Sequence, residues 1–307
     1  MWETLDAASD PLAWIAIAAF LLTIAADVLD RKRLAVGVGT TAWIAFAAFW
    51  LAMFPYFYFD FQSPLQSVLS LAAVPLCLSA AYHLYNGRTS LLLLSRAVGL
   101  MGLIYLPAML YEPFTQWLIE TVAYQSHVGM ELVGYSPGIE EGRNGYMSRF
   151  AFDGYSTYII LACTGIGSMA IFGGLIAATS AGWRRKLIGI GLAVTIIWIL
   201  NLARNVFVGL AAPLGWFDYP MLEAFTLAVA GPGMRTSYFI AHNIISQGLA
   251  VVALVAIAYL CMRIVPEILD VLSEALFLVT GSEYDLRTVV DQPAVRADGG
   301  SERDVSE

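Results

Sequence analysis

Seven stretches of the chain are apolar enough, and long enough, to leave little choice of environment: roughly 12–29, 35–54, 66–85, 89–111, 157–180, 187–211 and 238–264. A helix rises about 1.5 Å per residue and the hydrocarbon core of a bilayer is about 30 Å thick, so about 20 apolar residues cross it. Charged residues make up only 13% of the 307 positions against 59% hydrophobic ones, a balance that belongs to polytopic membrane proteins. The fold class read from this pattern is all-α: a polytopic membrane bundle with seven spanning helices. An eighth stretch, about 266–281, carries Glu267, Asp270 and Glu274. It reads as an amphipathic helix lying at the interface, or as a short inserted one. No basic stretch with a small-residue cleavage site precedes the first apolar run, which therefore reads as a transmembrane helix and not a signal peptide.

Basic residues orient the bundle. Arg31, Lys32 and Arg33 follow the first segment, Arg88 the third, Arg184, Arg185 and Lys186 the fifth, and Arg263 ends the seventh. With alternating spans all four groups fall on one side, the cytoplasm. The N-terminus and loops 55–65, 112–156 and 212–237 then face outward. The loop 112–156 is long for a chain with otherwise short connections. Its first half has the character of an interfacial helix and its second half is rich in turns, the make-up of a binding element or lid. A net charge of −8 and the lack of a basic groove exclude nucleic acid as a partner. The thiols Cys77, Cys163 and Cys261 lie at different depths on three segments, with no CxxC pair and no Cys/His cluster, so neither disulfides nor a metal is expected.

Three chemically capable residues fall at a common depth near the outer boundary. Cys163 lies about six residues into the fifth segment, Arg204 about seven from the outer end of the sixth, and His242 about four into the seventh. A guanidinium inside an apolar span is costly and marks a functional candidate. A thiol needs a nearby positive charge or base to supply thiolate. His242 is a candidate to take and return a proton, and Arg204 to hold a carbonyl, carboxylate or oxyanion. Asn201 and Asn205 flank Arg204 and are candidates to orient it or add donors. Arg235, beside Gly231-Pro232-Gly233, is a candidate to bind a substrate carboxylate or is simply solvated. Each feature also has a plainer reading: Cys163 as inert packing, His242 as a hydrogen-bonded helix-end residue, Arg204 as half of a structural ion pair, and Arg96 as a snorkelling side chain.

The stretches ACTGIGSMAIFGG (162–174), NLARNVFVG (201–209) and SYFIAHNIISQ (237–247) resemble the exosortase/archaeosortase family across essentially the whole membrane region. The resemblance implies a transpeptidase acting on membrane-anchored client proteins with a tripartite C-terminal signal: a Pro-Gly-Phe motif, a transmembrane helix and a basic cluster. It implies cleavage near that motif and transfer of the client to a lipid amine, with no organic cofactor or metal. The family nucleophile matches Cys163 and its arginine matches Arg204. The third family residue is a histidine or an arginine; His242 is the natural match, and Arg235 and Asn243 remain alternatives. The family has eight membrane segments, so the eighth here would be 266–281. On this reading residues 1–281 form a transmembrane catalytic domain and 282–307 an acidic, disordered tail. Two other readings stay open: a membrane protease ending in hydrolysis, and a non-enzymatic transporter or lipid-binding protein whose arginine binds an anion.

Overall fold

The computed structural model describes residues 2–287 apart from 61, 62 and 153, with side chains from residue 9 onward. Most of the tail expected to be disordered therefore lies outside the described residues. Four long helices open the chain: α1 (Trp2–Val28), α2 (Lys32–Pro55), α3 (Pro64–Tyr85) and α4 (Leu91–Leu110). A π-helical turn, Tyr56–Asp60, extends α2. The outer-loop region then supplies α5 (Glu112–Leu132) and three strands, β1 (Gly138–Glu141), β2 (Met147–Phe152) and β3 (Tyr155–Tyr158). The second half of the chain holds α6 (Ile166–Ala178), α7 (Trp183–Leu214) and α8 (Pro220–Ala230). A last long helix starts as α9 (Thr236–Tyr238), passes through a π-helix (Phe239–Ser246) and ends as α10 (Gln247–Ile264), before α11 (Ile268–Thr280).

Among the described residues six helices are long and apolar enough to cross a membrane: Ser9–Val28, Lys32–Asp60, Pro64–Tyr85, Leu91–Leu110, Trp183–Leu214 and Thr236–Ile264. The all-α membrane bundle stands, but the fifth expected span does not form as one helix. Residues 155–158 pair with β2, the chain bends through a 3-10 turn at Leu161–Thr164, and only the 13 residues of α6 are α-helical. That helix is about 20 Å long, too short for the hydrocarbon core. The apolar composition of 157–180 fits either conformation; strand pairing and a left-handed Gly165 (φ 78°) decide against a continuous helix. Irregular backbone of this kind is tolerated at membrane depth where it lies inside protein or lines a cavity, and here it does both.

Helices pack closely through small residues, as membrane helices must when lipid is as apolar as leucine. At Gly174 of α6 an added Cβ would sit 2.5 Å from the Met101 backbone nitrogen and 2.7 Å from the Ala97 carbonyl oxygen of α4. Between α2 and α4 the Trp43 indole Nε1 donates to Ser95 Oγ at 2.9 Å in a buried contact. Phe20 of α1 meets Trp43 edge-to-face, with ring centroids 5.1 Å apart.

One end of the bundle gathers the basic turns. Arg88 donates to both carboxylate oxygens of Glu274, at 2.9 and 3.2 Å, and its guanidinium lies 3.6 Å over the Phe277 ring. Arg185 pairs with Glu267. α11 thus ties the α3–α4 turn to the α6–α7 turn, with Ile268, Leu269, Val271 and Phe277 turned inward. At 13 residues it is an amphipathic brace and too short to span. Arg96 does not snorkel: its Nη2 is 2.7 Å from Asp27 Oδ2, an acid only 9% exposed.

The opposite end carries a cap. α5 and the antiparallel sheet β1-β2-β3 pack on α7 through Ile119, Val122, Met130, Phe150, Ile159 and Leu210. Trp198 of α7 donates to Gln125 of α5 at 2.9 Å, and the His127 ring contacts the Pro137 carbonyl at 2.9 Å. The expected interfacial helix is α5. The turn-rich second half proves to be a hairpin, whose β2–β3 connection carries Asp153-Gly154, a pair that favours tight hairpin turns.

Candidate active site

Cys163 sits on the 3-10 turn that joins β3 to α6. The turn closes by a Cys163 N–H to Ile160 carbonyl bond of 2.8 Å and by Thr164 Oγ1 to the Leu161 carbonyl at 2.7 Å. Gly165 follows with φ 78°, a conformation that glycine adopts without strain, and reverses the chain into α6. From α7, Asn201 Nδ2 and Asn205 Nδ2 both donate to the Cys163 carbonyl, at 2.6 and 2.9 Å. Residues four apart share one helix face, so the two amides form a clamp on the turn that carries the thiol. Of the two roles expected for these asparagines, orienting Arg204 or adding donors, their hydrogen bonds are of the second kind and go to the backbone of Cys163.

Arg204 lies beside that clamp and reaches the π-helix. Its Nη2 is 3.2 Å from His242 Nδ1. A guanidinium has no acceptor and does not deprotonate in proteins, so it donates and the ring nitrogen accepts; the neutral imidazole then carries its proton on Nε2. Tyr238, one turn earlier, stacks on His242 with centroids 4.9 Å apart and planes 18° from parallel. The start of this helix is anchored from the connection between α7 and α8. Asp218 Oδ1 accepts from the Ser237 N–H at 3.1 Å and from Ser237 Oγ at 2.7 Å. Single π-helical turns arise where a helix takes up an extra residue, frequently at functional sites.

Height along the bundle agrees with the sequence estimate. Arg204 lies 21 residues from Trp183 and His242 lies 22 residues from Ile264, so both are about 30 Å from the basic end. Cys163, Arg204, Asn205, Tyr238 and His242 line one cavity of about 580 Å³, together with Tyr155 and the rest of β3. A second cavity, of about 540 Å³, lies on the other side of Arg204 and is lined by Gly165, Gly167, Ser168, Asn201 and Phe207. Arg204 borders both.

The other candidates fall outside the first cavity's lining. Arg235 lies 4.6 Å over the Tyr155 ring, donates to the Pro213 carbonyl at 3.2 Å and approaches Asp218 Oδ2 at 3.7 Å. It borders the cavity only through Tyr155. Asn243 is half-buried next to His242 and is not part of the wall. Tyr155 and Tyr238 were not singled out from the sequence. Tyr238 was accessible, as an aromatic one helical turn before the histidine; Tyr155 is brought in by strand pairing, which hydropathy does not encode. Among the described residues no group of three His, Cys, Asp or Glu is placed to hold a metal ion.

A multi-pass membrane protein with a thiol, a guanidinium and an imidazole around one cavity is the class that fold and site define. The chain belongs to the transmembrane exosortase family, whose sequence profile matches residues 2–231. The matched range includes Cys163 and Arg204 and ends before His242. Two relatives extend the similarity over nearly the whole chain. Archaeosortase A of Haloferax volcanii is 43% identical over 293 residues, 91% of this chain and 96% of that protein. Archaeosortase A of Natronomonas pharaonis is 43% identical over 281 residues, 88% of this chain and 89% of that protein. No solved structure matches. The chain is thus a multi-pass membrane protein of a sorting-enzyme family.

Proposed function

We propose that this chain is a cysteine transpeptidase of the membrane, cleaving a C-terminal Pro-Gly-Phe-type tripartite signal from surface-bound clients and passing them to a lipid amine. The observation that carries the reading is the shared cavity of Cys163, Arg204 and His242, with the last two hydrogen-bonded. The signal and the lipid acceptor rest on the family resemblance alone; the two relatives support a sorting enzyme.

While Arg204 donates to Nδ1, His242 has no free basic nitrogen. A substrate carbonyl that takes the guanidinium frees Nδ1, which then accepts the Cys163 thiol proton. The thiolate attacks the peptide carbonyl, and Arg204 holds the oxyanion, a stabilisation typically worth about 10²–10³ in rate. The imidazolium returns its proton to the leaving amine, the C–N bond breaks, and a thioester remains on Cys163. A lipid amine attacks the thioester, forms the new amide, and releases the thiol after proton transfer through His242. The clamp of Asn201 and Asn205 keeps the Cys163 turn still through both halves.

The test is a mass spectrum of the C-terminal peptide of a client co-expressed with this chain. Expected is loss of the client's transmembrane helix with gain of a lipid mass. A free carboxylate at the new terminus would replace transfer by hydrolysis. An intact client, or full processing by Cys163→Ser, would remove the cysteine-enzyme reading altogether.

A further inference from the structure

β3 is the edge of its sheet. Among the described residues it pairs with β2 on one side only, through Phe152↔Tyr155, Ala151↔Ser156, Phe150↔Thr157 and Arg149↔Tyr158. The ladder continues with the Ile159 N–H donating to the Ser148 carbonyl at 2.9 Å. Backbone groups alternate sides along an antiparallel strand. Those of Tyr155, Thr157 and Ile159 therefore face β2, and those of Ser156 and Tyr158 face away from it. This free edge belongs to the wall of the 580 Å³ cavity, which residues 155–160 line without a gap. Two residues after Ile160 the same chain reaches Ala162 and then Cys163. Anything laid along the edge is guided to the thiol.

Polar side chains stand in the same wall: Gln66, Thr157, Asn205 and Arg204 all line the cavity. A purely apolar occupant, such as a lipid chain, leaves the outward N–H and C=O groups of the strand edge unpaired, whereas buried backbone groups are almost always paired. A peptide backbone supplies donors and acceptors every 3.3 Å or so, the spacing of a strand.

Resting on the transpeptidase reading, we infer that the client segment around the scissile bond binds in extended form as a fourth strand on the free edge of β3. Its backbone pairs with Ser156 and Tyr158, and its scissile carbonyl is delivered to Cys163. Recognition is then largely of main chain, as in other additions of a peptide strand to a sheet edge. Side chains on alternate positions meet the cavity wall, which gives specificity to every second residue.

Synthetic client peptides test this, each carrying one N-methylated amide stepped through six positions around the cleaved bond. Cleavage is read with wild-type protein in proteoliposomes, and binding with the Cys163→Ala protein by displacement of a fluorescent parent peptide. Strand addition predicts loss at alternate positions, about tenfold each, and little change between them. Ser156→Pro, which removes one outward N–H at a site where an edge strand tolerates proline, should weaken binding of the parent peptide about tenfold; Ser156→Ala, which loses only the side-chain bond from Arg149 Nη2, should not. Binding losses without a period of two, or unaltered binding by Ser156→Pro, would overturn strand addition. Alternating binding without any cleavage would instead uphold the docking and sink the catalytic reading.

Discussion

Arg204 and His242, 38 positions apart, are joined by an Nη2–Nδ1 hydrogen bond of 3.2 Å between α7 and the π-helix. The bond gives each partner a defined state. The guanidinium is tied to the imidazole between the two cavities it borders, and the imidazole is held as the Nε2–H tautomer. Tyr238 stacks on the ring and limits its rotation. A proton acceptor is therefore present but occupied until something competes for the arginine.

Arg204→Lys should lose about 10²-fold or more in client processing although the charge is kept. An ammonium is a point charge on a flexible stem and lacks the planar fork that can bridge ring and substrate. Cys163→Ala and Arg204→Ala should both accumulate as folded protein and process nothing. Initial rates of client cleavage in isolated membranes, normalised to protein level, check all three. A lysine variant at wild-type rate would show that only charge matters.

His242→Ala should cost about 10²–10⁴ in turnover, the range for loss of general acid–base catalysis. Arg235→Ala should cost less and raise KM more than it lowers kcat, because Arg235 supports the Tyr155 wall and does not line the cavity. Steady-state kinetics on one client separate them. Normal turnover in the histidine variant with a dead Arg235 variant would move the third role to the arginine.

The asparagine clamp should act on Cys163 by position. Single Asn201→Ala or Asn205→Ala variants lose one of two donors to the same carbonyl, and each should lower kcat modestly. Together they free the carbonyl, so the double variant should lose more than the product of the two single effects. Alkylation of Cys163 by a thiol reagent, followed by mass, provides a readout apart from turnover: its rate should change most in the double variant. Strictly multiplicative kinetics with unaltered alkylation would mean the clamp is structural only.

Gly174→Ala should destabilise the bundle by about 1–3 kcal/mol, the range for overpacking. The new methyl meets the backbone of Met101 and Ala97, which a rotamer change cannot move aside. α6 would have to shift off α4, carrying the Cys163 turn with it. Thermal unfolding in detergent should show a lower midpoint, with activity reduced in parallel; an unchanged midpoint would mean that the α4–α6 contact is looser than described.

Hydropathy and residue spacing alone set the environment and much of the candidate site. Long apolar runs admit no solvent but lipid, and the basic residues at their ends, among them Arg88 and Arg185, orient the bundle. An arginine as deep as Arg204 had to have a partner or a task. Helix spans read from hydropathy also placed Arg204 and His242 at one height, because rise per residue is nearly fixed. What hydropathy could not show is where an apolar run stops being helix. Residues 157–180 look like a span, yet β3 pairs across the sheet and Gly165 turns the chain, since the strand's partner lies at 147–152 and composition records no pairing. Contacts between distant segments decided the rest: the two asparagines on the Cys163 carbonyl, the Arg204–His242 bond, and Tyr155 under Arg235. Each needs an approach of a few ångströms between elements far apart in sequence, and only packing of the whole bundle sets such distances.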